Sequence, residues 1–146
     1  MLRVLSFADK PRILEHLIDL DMDDRRLRFC ITVGNNLIAQ YVDSIRSQDT
    51  LLGIEIDHKI VAFGHLARLA SGRVEFGVSV NADHRGKGYA TQIFNAAIQQ
   101  PNISELVMHC LPYNKAMRKI AANAGMQITS KEGDFTAVKP FVNRPS

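Results

Sequence analysis

The sequence predicts a mixed α/β (α+β) fold, one sheet covered by helices. Three observations predict it. Segments that alternate apolar and polar residues give way repeatedly to segments with apolar residues at helical spacing. Their order along the chain is β-α-α-β-β-β-α-β-α-β-β, which suits a single mixed sheet. The 146 residues are enough for one domain spanning residues 1–146 with a real core, and too few for two comfortable ones.

Residues 2–6 are a short strand. Asp9 can then cap a helix with Pro11 in its first turn, and Ile13, Leu14, Leu17 and Ile18 fall on one face of it. Residues 19–24 are acidic and irregular. A second helical region follows, interrupted near Gly34-Asn35-Asn36, with apolar positions at Leu27, Cys30 and Ile31 and then at Leu37, Ile38, Tyr41, Val42 and Ile45.

Residues 50–56 and 60–69 read as a hairpin turned at Asp57-His58. After a turn at Ser71-Gly72, residues 73–80 alternate: Val74, Phe76, Val78 and Val80 on one face, Arg73, Glu75, Gly77 and Ser79 on the other. Gly77 in mid-strand marks a bulge or a close backbone approach. Ala90, Ile93, Phe94, Ala97 and Ile98 are spaced as a helix that ends before Pro101. Residues 105–111 form a strand, Asn114 caps a helix burying Met117, Ile120, Ala121 and Ala124, and Gly125 stops it. Residues 126–129 and 135–138 are a final pair of strands, and the tail to Ser146 is loosely held.

Composition narrows the function. Apolar residues are 46% and charged residues 23% of the chain, an ordinary globular balance that argues against disorder. The net charge of +3 suits a phosphorylated ligand, but no dense Lys/Arg run or aromatic series points to nucleic acid. No apolar run approaches a membrane span, and the first residues lack the apolar core of a signal peptide. Cys30 and Cys110 have no metal-ligand spacing and form no disulfide framework. A reducing, cytoplasmic setting with buried thiols is the expectation.

The chemistry concentrates in Arg85-Gly86-Lys87-Gly88-Tyr89-Ala90, between a strand and a helix. Glycine allows positive φ and close approach of a ligand to backbone. The first turn of the helix offers unpaired N–H groups and the positive end of its dipole, which together make an anion site. A P-loop is excluded, because Gly86-Lys87 is followed by Gly88 and position 81 is Asn81. A dinucleotide fingerprint fails at Thr91. The residues alone leave two readings: a pyrophosphate cradle, or a glycine-containing turn with surface charges.

Arg85-x-x-Gly88-x-Ala90 resembles the Arg/Gln-x-x-Gly-x-Gly/Ala signature of the GNAT superfamily of acyl-CoA N-acyltransferases. Downstream, Asn114-Lys115-Ala116-Met117-Arg118-Lys119-Ile120, closing at Ala124-Gly125-Met126, is similar to the family's Asn-led helix. Arg25-Arg26-Leu27-Arg28-Phe29 and Val74-Glu75-Phe76-Gly77-Val78 look like the acetyltransferase domain of bacterial protein lysine acetyltransferases. The resemblance implies a GNAT-type sheet of six to seven strands with a central splay and helices on both faces. It implies acetyl-CoA as co-substrate, with no metal, and a primary amine acceptor, either a protein lysine or a small amine. The partners are then acetyl-CoA and that acceptor, with no nucleic acid or membrane, on a monomer or homodimer.

Roles follow from the same resemblance. Backbone of Val78, Ser79 and Val80 pairs with the pantetheine arm. Amides of Arg85, Gly86, Lys87, Gly88, Tyr89 and Ala90, with Thr91 beside them, take the pyrophosphate. Asn114 bonds the pantetheine or thiol side, is a plain helix cap, or does both. Glu75 is the base, or else a strand glutamate salt-bridged to Arg73 or Arg68. A base matters because a lysine of pKa ~10.4 needs roughly 4.6 kcal/mol to be neutral at pH 7. Many members carry a tyrosine about seven residues after the asparagine as the acid for the leaving thiolate; here that position is Ala121. Water, His109 or Cys110 remain as proton sources, and a thiol of pKa ~8.5 leaves tolerably without a strong acid. An acyl-enzyme on Cys110 lacks a partner pair to activate it, so direct attack in a ternary complex is expected. His58, His65 and His109 read as lone histidines. The other function class is a non-catalytic acyl-CoA-binding sensor.

Overall fold

The computed structural model describes residues 1–131 and 134–141, and the expectation for the tail falls on residues 142–146, outside them. The strands are β1 (Leu2–Leu5), β2 (Thr50–Ile56), β3 (Lys59–Arg68), β4 (Arg73–Val80), β5 (Glu105–Cys110), β6 (Gln127–Lys131) and β7 (Asp134–Pro140). The helices are α1 (Lys10–Ile18), α2 (Met22–Phe29), α3 (Asn35–Ser44), α4 (Tyr89–Ala97) and α5 (Lys115–Asn123).

Among the described residues seven strands join one sheet in the order β1-β2-β3-β4-β5-β7-β6. Only β4 and β5 are parallel; the other neighbours are antiparallel. The β2–β3 hairpin turns on Asp57 and His58, both at positive φ (52° and 66°), as a tight turn matched to strand twist requires.

Side chains alternate across the sheet and fill a core on each face. On one face α1 and α3 bury Ile13, Leu17, Ile38 and Val42 against Leu51 and Phe63. On the other α4 and α5 bury Ile93, Phe94, Ile120 and Ala121 against Leu52, Phe76 and Leu106. Burying each large apolar side chain contributes about 1.5–3 kcal/mol, so the two cores hold the sheet between them.

Parallel pairing of β4 with β5 is confined to Arg73↔Glu105, Val74↔Leu106 and Glu75↔Val107. Beyond Glu75 the strands part, while β4 remains paired with β3 as far as Val80. This opening in mid-sheet positions the site.

Four local expectations are corrected. Asp9 stands at the N-cap of α1 but its side chain makes no capping bond there; its buried carboxylate accepts the Ser6 N–H at 2.8 Å and pairs with Arg3 and Arg12. Arg3 and the Ser6 amide outweigh the cost of its burial and hold its carboxyl well below the usual range. Residues 22–24 are not irregular: Asp21 caps α2 by accepting the Asp24 N–H at 2.8 Å, and Asp23 and Asp24 sit in the first turn, where the dipole favours them. Ile31 lies past the end of α2 and is exposed. Gly77 is not a bulge, since the β3–β4 register runs without a shift; what comes close to it is the Arg28 side chain, not another backbone.

Candidate active site

Gly88 is the N-cap of α4 at φ 77°, and Gly86 stands at φ 74°, a region that L side chains occupy at a cost of about 1–2 kcal/mol. The first helical bond runs from Gln92 N–H to Gly88 O at 3.0 Å. The amides of Tyr89, Ala90 and Thr91 are therefore the unpaired donors of the first turn. Among the described residues, the amides of Gly86, Lys87 and Gly88 have no backbone acceptor either. Six successive amides, residues 86–91, are thus without a backbone acceptor.

That turn forms one wall of a cavity of about 510 Å³. Val78, Ser79 and Val80 line it from the parted edge of β4, and Asn114, Met117 and Ile120 line it from α5. A second cavity of about 390 Å³ lies beside it, lined by Glu75, Gly77, His109 and Cys110 and by Tyr41 and His65. Leu27, Arg28, Val78 and Met117 border both. The two spaces thus meet where β4 leaves β5, one rich in amides and the other in titratable side chains.

A model of the acetyltransferase (GNAT) domain family matches residues 3–127. The chain belongs to that family.

Solved structures with the same fold include the GNAT domain of a Streptomyces lividans PAT, at 17% identity over 96% of this chain and 89% of that one, with a TM-score of 0.78. A ribosomal-protein-alanine N-acetyltransferase from Brucella melitensis is 19% identical over 97% and 99%, TM-score 0.67. A diaminobutyrate acetyltransferase from Paenibacillus lautus, in complex with L-2,4-diaminobutyric acid and coenzyme A, is 17% identical over 98% and 96%, TM-score 0.68. No curated protein matches the sequence. GNAT acetyltransferases move an acetyl group from acetyl-CoA to an amine, so this is an acetyl-CoA-dependent N-acetyltransferase. The seven-stranded, splayed sheet with helices on both faces is the GNAT architecture expected from the motifs.

The fit of the GNAT co-substrate rests on this chain's own geometry. The run of unpaired amides suits a pyrophosphate, and the free edge of β4 past Glu75 suits an extended amide-bearing arm, as an added strand would be held. Ala90 and Tyr89 line the same space, and Lys87 lies in the turn without lining it. Arg85 departs from the expected pyrophosphate donors: its backbone N–H donates to Ala82 O at 3.3 Å, and its guanidinium pairs with Asp24 and, at 3.4 Å, with Asp21. The acidic start of α2 is therefore a latch on the glycine turn.

Ser79 turns its hydroxyl away from the cavity, to His16 Nε2 at 2.8 Å, while His16 Nδ1 meets Asn81 Oδ1 at 2.7 Å. This pins α1 to the end of β4. Burial pushes His16 down to about 4, so it stays neutral.

Asn114 Oδ1 accepts the Met117 N–H at 3.2 Å and Nδ2 donates to Leu27 O at 3.4 Å. The side chain is thus a helix cap that also lines the first cavity.

Glu75 pairs with neither Arg73 nor Arg68. Arg73 holds Glu105 at 2.7 Å, and Arg68 donates to the carbonyls of Pro101 and Asn102. The close titratable neighbour of Glu75 is His109, with Nε2 3.8 Å from Glu75 Oε2. With half its side chain exposed, Glu75 has solvent as well as the cavity within reach.

Ala121 is fully buried in the core and lines neither cavity. Tyr113 is exposed, with its hydroxyl accepting from Arg26 Nε at 2.8 Å. Burial, aided by Cys30, pushes the Cys110 thiol up to about 11. Among the described residues no cluster of three or more His, Cys, Asp or Glu could hold a metal ion, and no helix is long and apolar enough to cross a membrane.

Sequence reading missed one constellation. His65 is not a lone histidine: its Nδ1 meets Tyr41 Oη at 2.5 Å and its Nε2 meets Asp49 Oδ2 at 2.9 Å, and Arg28 Nη2 donates to Tyr41 Oη at 2.9 Å. These residues come from α2, α3, β3 and the segment before β2, so no local spacing announces them.

Proposed function

We propose that the protein acetylates a primary amine by direct attack in a ternary complex, with Glu75 as the base. What supports this above all is the meeting of the two cavities at the β4–β5 opening, with Glu75 on the side away from the glycine turn. Acetyl-CoA supplies an acetyl thioester, whose carbonyl carbon a neutral amine can attack; the C–N bond would form as the C–S bond breaks, and the departing thiolate would take its proton from water. The amides of Gly86, Lys87, Gly88, Tyr89, Ala90 and Thr91 would hold its pyrophosphate, and the free edge of Val78, Ser79 and Val80 its pantetheine arm. Glu75, within reach of His109 and of solvent, takes the ammonium proton and passes it outward. Such base catalysis contributes about 10²–10⁴-fold. Cys110, protonated at neutral pH, is no nucleophile.

The acceptors named for the similar structures, an alanine of a ribosomal protein and L-2,4-diaminobutyric acid, share an amine and little else. Either a protein lysine or a small amine is compatible with the opening. Incubation with acetyl-CoA and an amine panel, following free thiol, tests the proposal. Amine-dependent thiol release is expected.

One observation favours a second reading, a non-catalytic acyl-CoA-binding module: Ala121, at the position where many members carry a tyrosine, is sealed in the core. Tight coenzyme A binding with no thiol release across the panel would select it.

A further inference from the structure

We infer that Arg28 is the anion-binding end of the acceptor cavity, and that the acceptor carries a carboxylate beside its amine. This rests on the assignment of the Glu75 cavity to the acceptor.

Arg28 lies in the last turn of α2 and lines the cavity under β4. It can reach that place because position 77 is glycine: a Cβ there would stand 2.5 Å from Arg28 Cζ and 2.7 Å from each terminal nitrogen. The guanidinium is held still. It packs over the rings of Phe29 and Tyr41, with Cζ 4.8 and 5.4 Å from their centres. Its Nη2 donates to Tyr41 Oη. Because arginine only donates, the Tyr41 proton goes to His65 Nδ1, and His65 Nε2–H goes to Asp49. Asp49 is anchored in turn by the N–H of Arg68 at 2.9 Å. The donors run one way, from Arg28 to a buried carboxylate two side chains off.

What the guanidinium lacks is an anion of its own. Among the described residues Arg28 forms no ion pair, and its Nε is buried without a hydrogen-bond partner. A guanidinium stays charged in any environment, and a partly buried charge left uncompensated is costly. Its planar fork matches a carboxylate. The same cavity carries the Glu75 carboxylate. A cation and an anion line one space of about 390 Å³, complementary to a small zwitterion: ammonium toward Glu75, carboxylate toward Arg28.

The test compares ω-amino acids of two to six carbons with their carboxamides, and peptides having Lys beside Asp with those having Lys beside Asn. Two readouts are taken: kcat/KM from thiol release, and affinity for the coenzyme A-loaded protein by calorimetry. The carboxylate member is expected to exceed its amide by about 100-fold in both, and Arg28→Met to bring that ratio to about 1. The free amino acids and the peptides separate the two sources of the carboxylate. Arg28→Lys, which keeps charge but loses the fork, is expected to retain part of the ratio, and it serves if circular dichroism shows Arg28→Met unfolded. Carboxylate-selective binding that Arg28→Met abolishes, with no thiol released by any amine, sinks acetyl transfer and sustains this inference. Equal values for the paired ligands, no binding by either, or an Arg28→Met loss equal for both overturn it; the last would place the guanidinium at the thioester.

Discussion

The Arg28 guanidinium occupies the space that a side chain on Gly77 would fill, with Arg28 Cζ 2.5 Å from the site of a Cβ. Glycine at the mouth of the β4–β5 opening is thus a demand of α2 packing, not of backbone conformation. Gly77→Ala must displace a guanidinium held by Phe29, Tyr41 and the Tyr41 hydroxyl, and overpacking of this kind costs about 1–3 kcal/mol. A lower Tm is expected together with a rise in acceptor KM, and steady-state kinetics on acceptor and acetyl-CoA separately checks where the loss falls.

Glu75→Gln is expected to lower kcat at neutral pH by about 10²-fold, the lower end of the range for a lost base. Partial recovery toward high pH should follow, as the free amine population rises. A pH–rate profile measured by thiol release checks both parts; an unchanged rate at pH 7 removes Glu75 from the role.

Gly88 sits at φ 77° with open space around its Cα. Gly88→Ala therefore brings backbone strain of about 1–2 kcal/mol and no clash, with acetyl-CoA KM rising roughly tenfold, since 1.4 kcal/mol is a factor of ten. Gly88→Asp adds a negative charge at the amide turn and is expected to weaken binding further. Calorimetric affinity for coenzyme A, equal in all three proteins, would contradict the cradle.

Cys110→Ala is expected to leave the acetylation rate within about a factor of two. With its thiol pushed up to about 11 by burial, roughly one molecule in 10⁴ carries a thiolate at pH 7. A transfer that runs through an acyl-enzyme would instead be abolished, and intact-mass spectrometry after mixing with acetyl-CoA alone would show the adduct.

His16 ties stability to pH. Its folded value of about 4 lies below the unfolded 6.5, so the folded state refuses a proton that the unfolded chain accepts. The contribution is complete above pH 6.5 and is lost as pH falls toward 4, to a limit of about 3 kcal/mol. Urea unfolding of wild type and His16→Gln at pH 7.5 and 4.5 measures it. His16→Gln should be less stable at pH 7.5 and less sensitive to acid; equal slopes would remove His16 as the source.

Residues close in the chain determined much of this protein. Alternation along Arg73–Val80 and helical spacing after Gly88 are set by local geometry, because strand and helix periods are fixed by the backbone. The same holds for the glycine turn and the Asn114 cap, whose amides and side chains act within one turn of helix. Hence the fold class, the glycine turn proposed to hold acetyl-CoA and the Asn114 cap were legible in the chain itself. The tertiary structure decided the rest. It turned the acidic residues 21–24 into a helix start latched to Arg85, placed Arg28 under Gly77, and joined Tyr41, His65 and Asp49 into one chain. Those contacts span elements far apart in sequence, and the packing of helices on the sheet, not any local pattern, brings them together. For that reason Arg28 and the Tyr41–His65–Asp49 chain became readable only once the fold had closed around them.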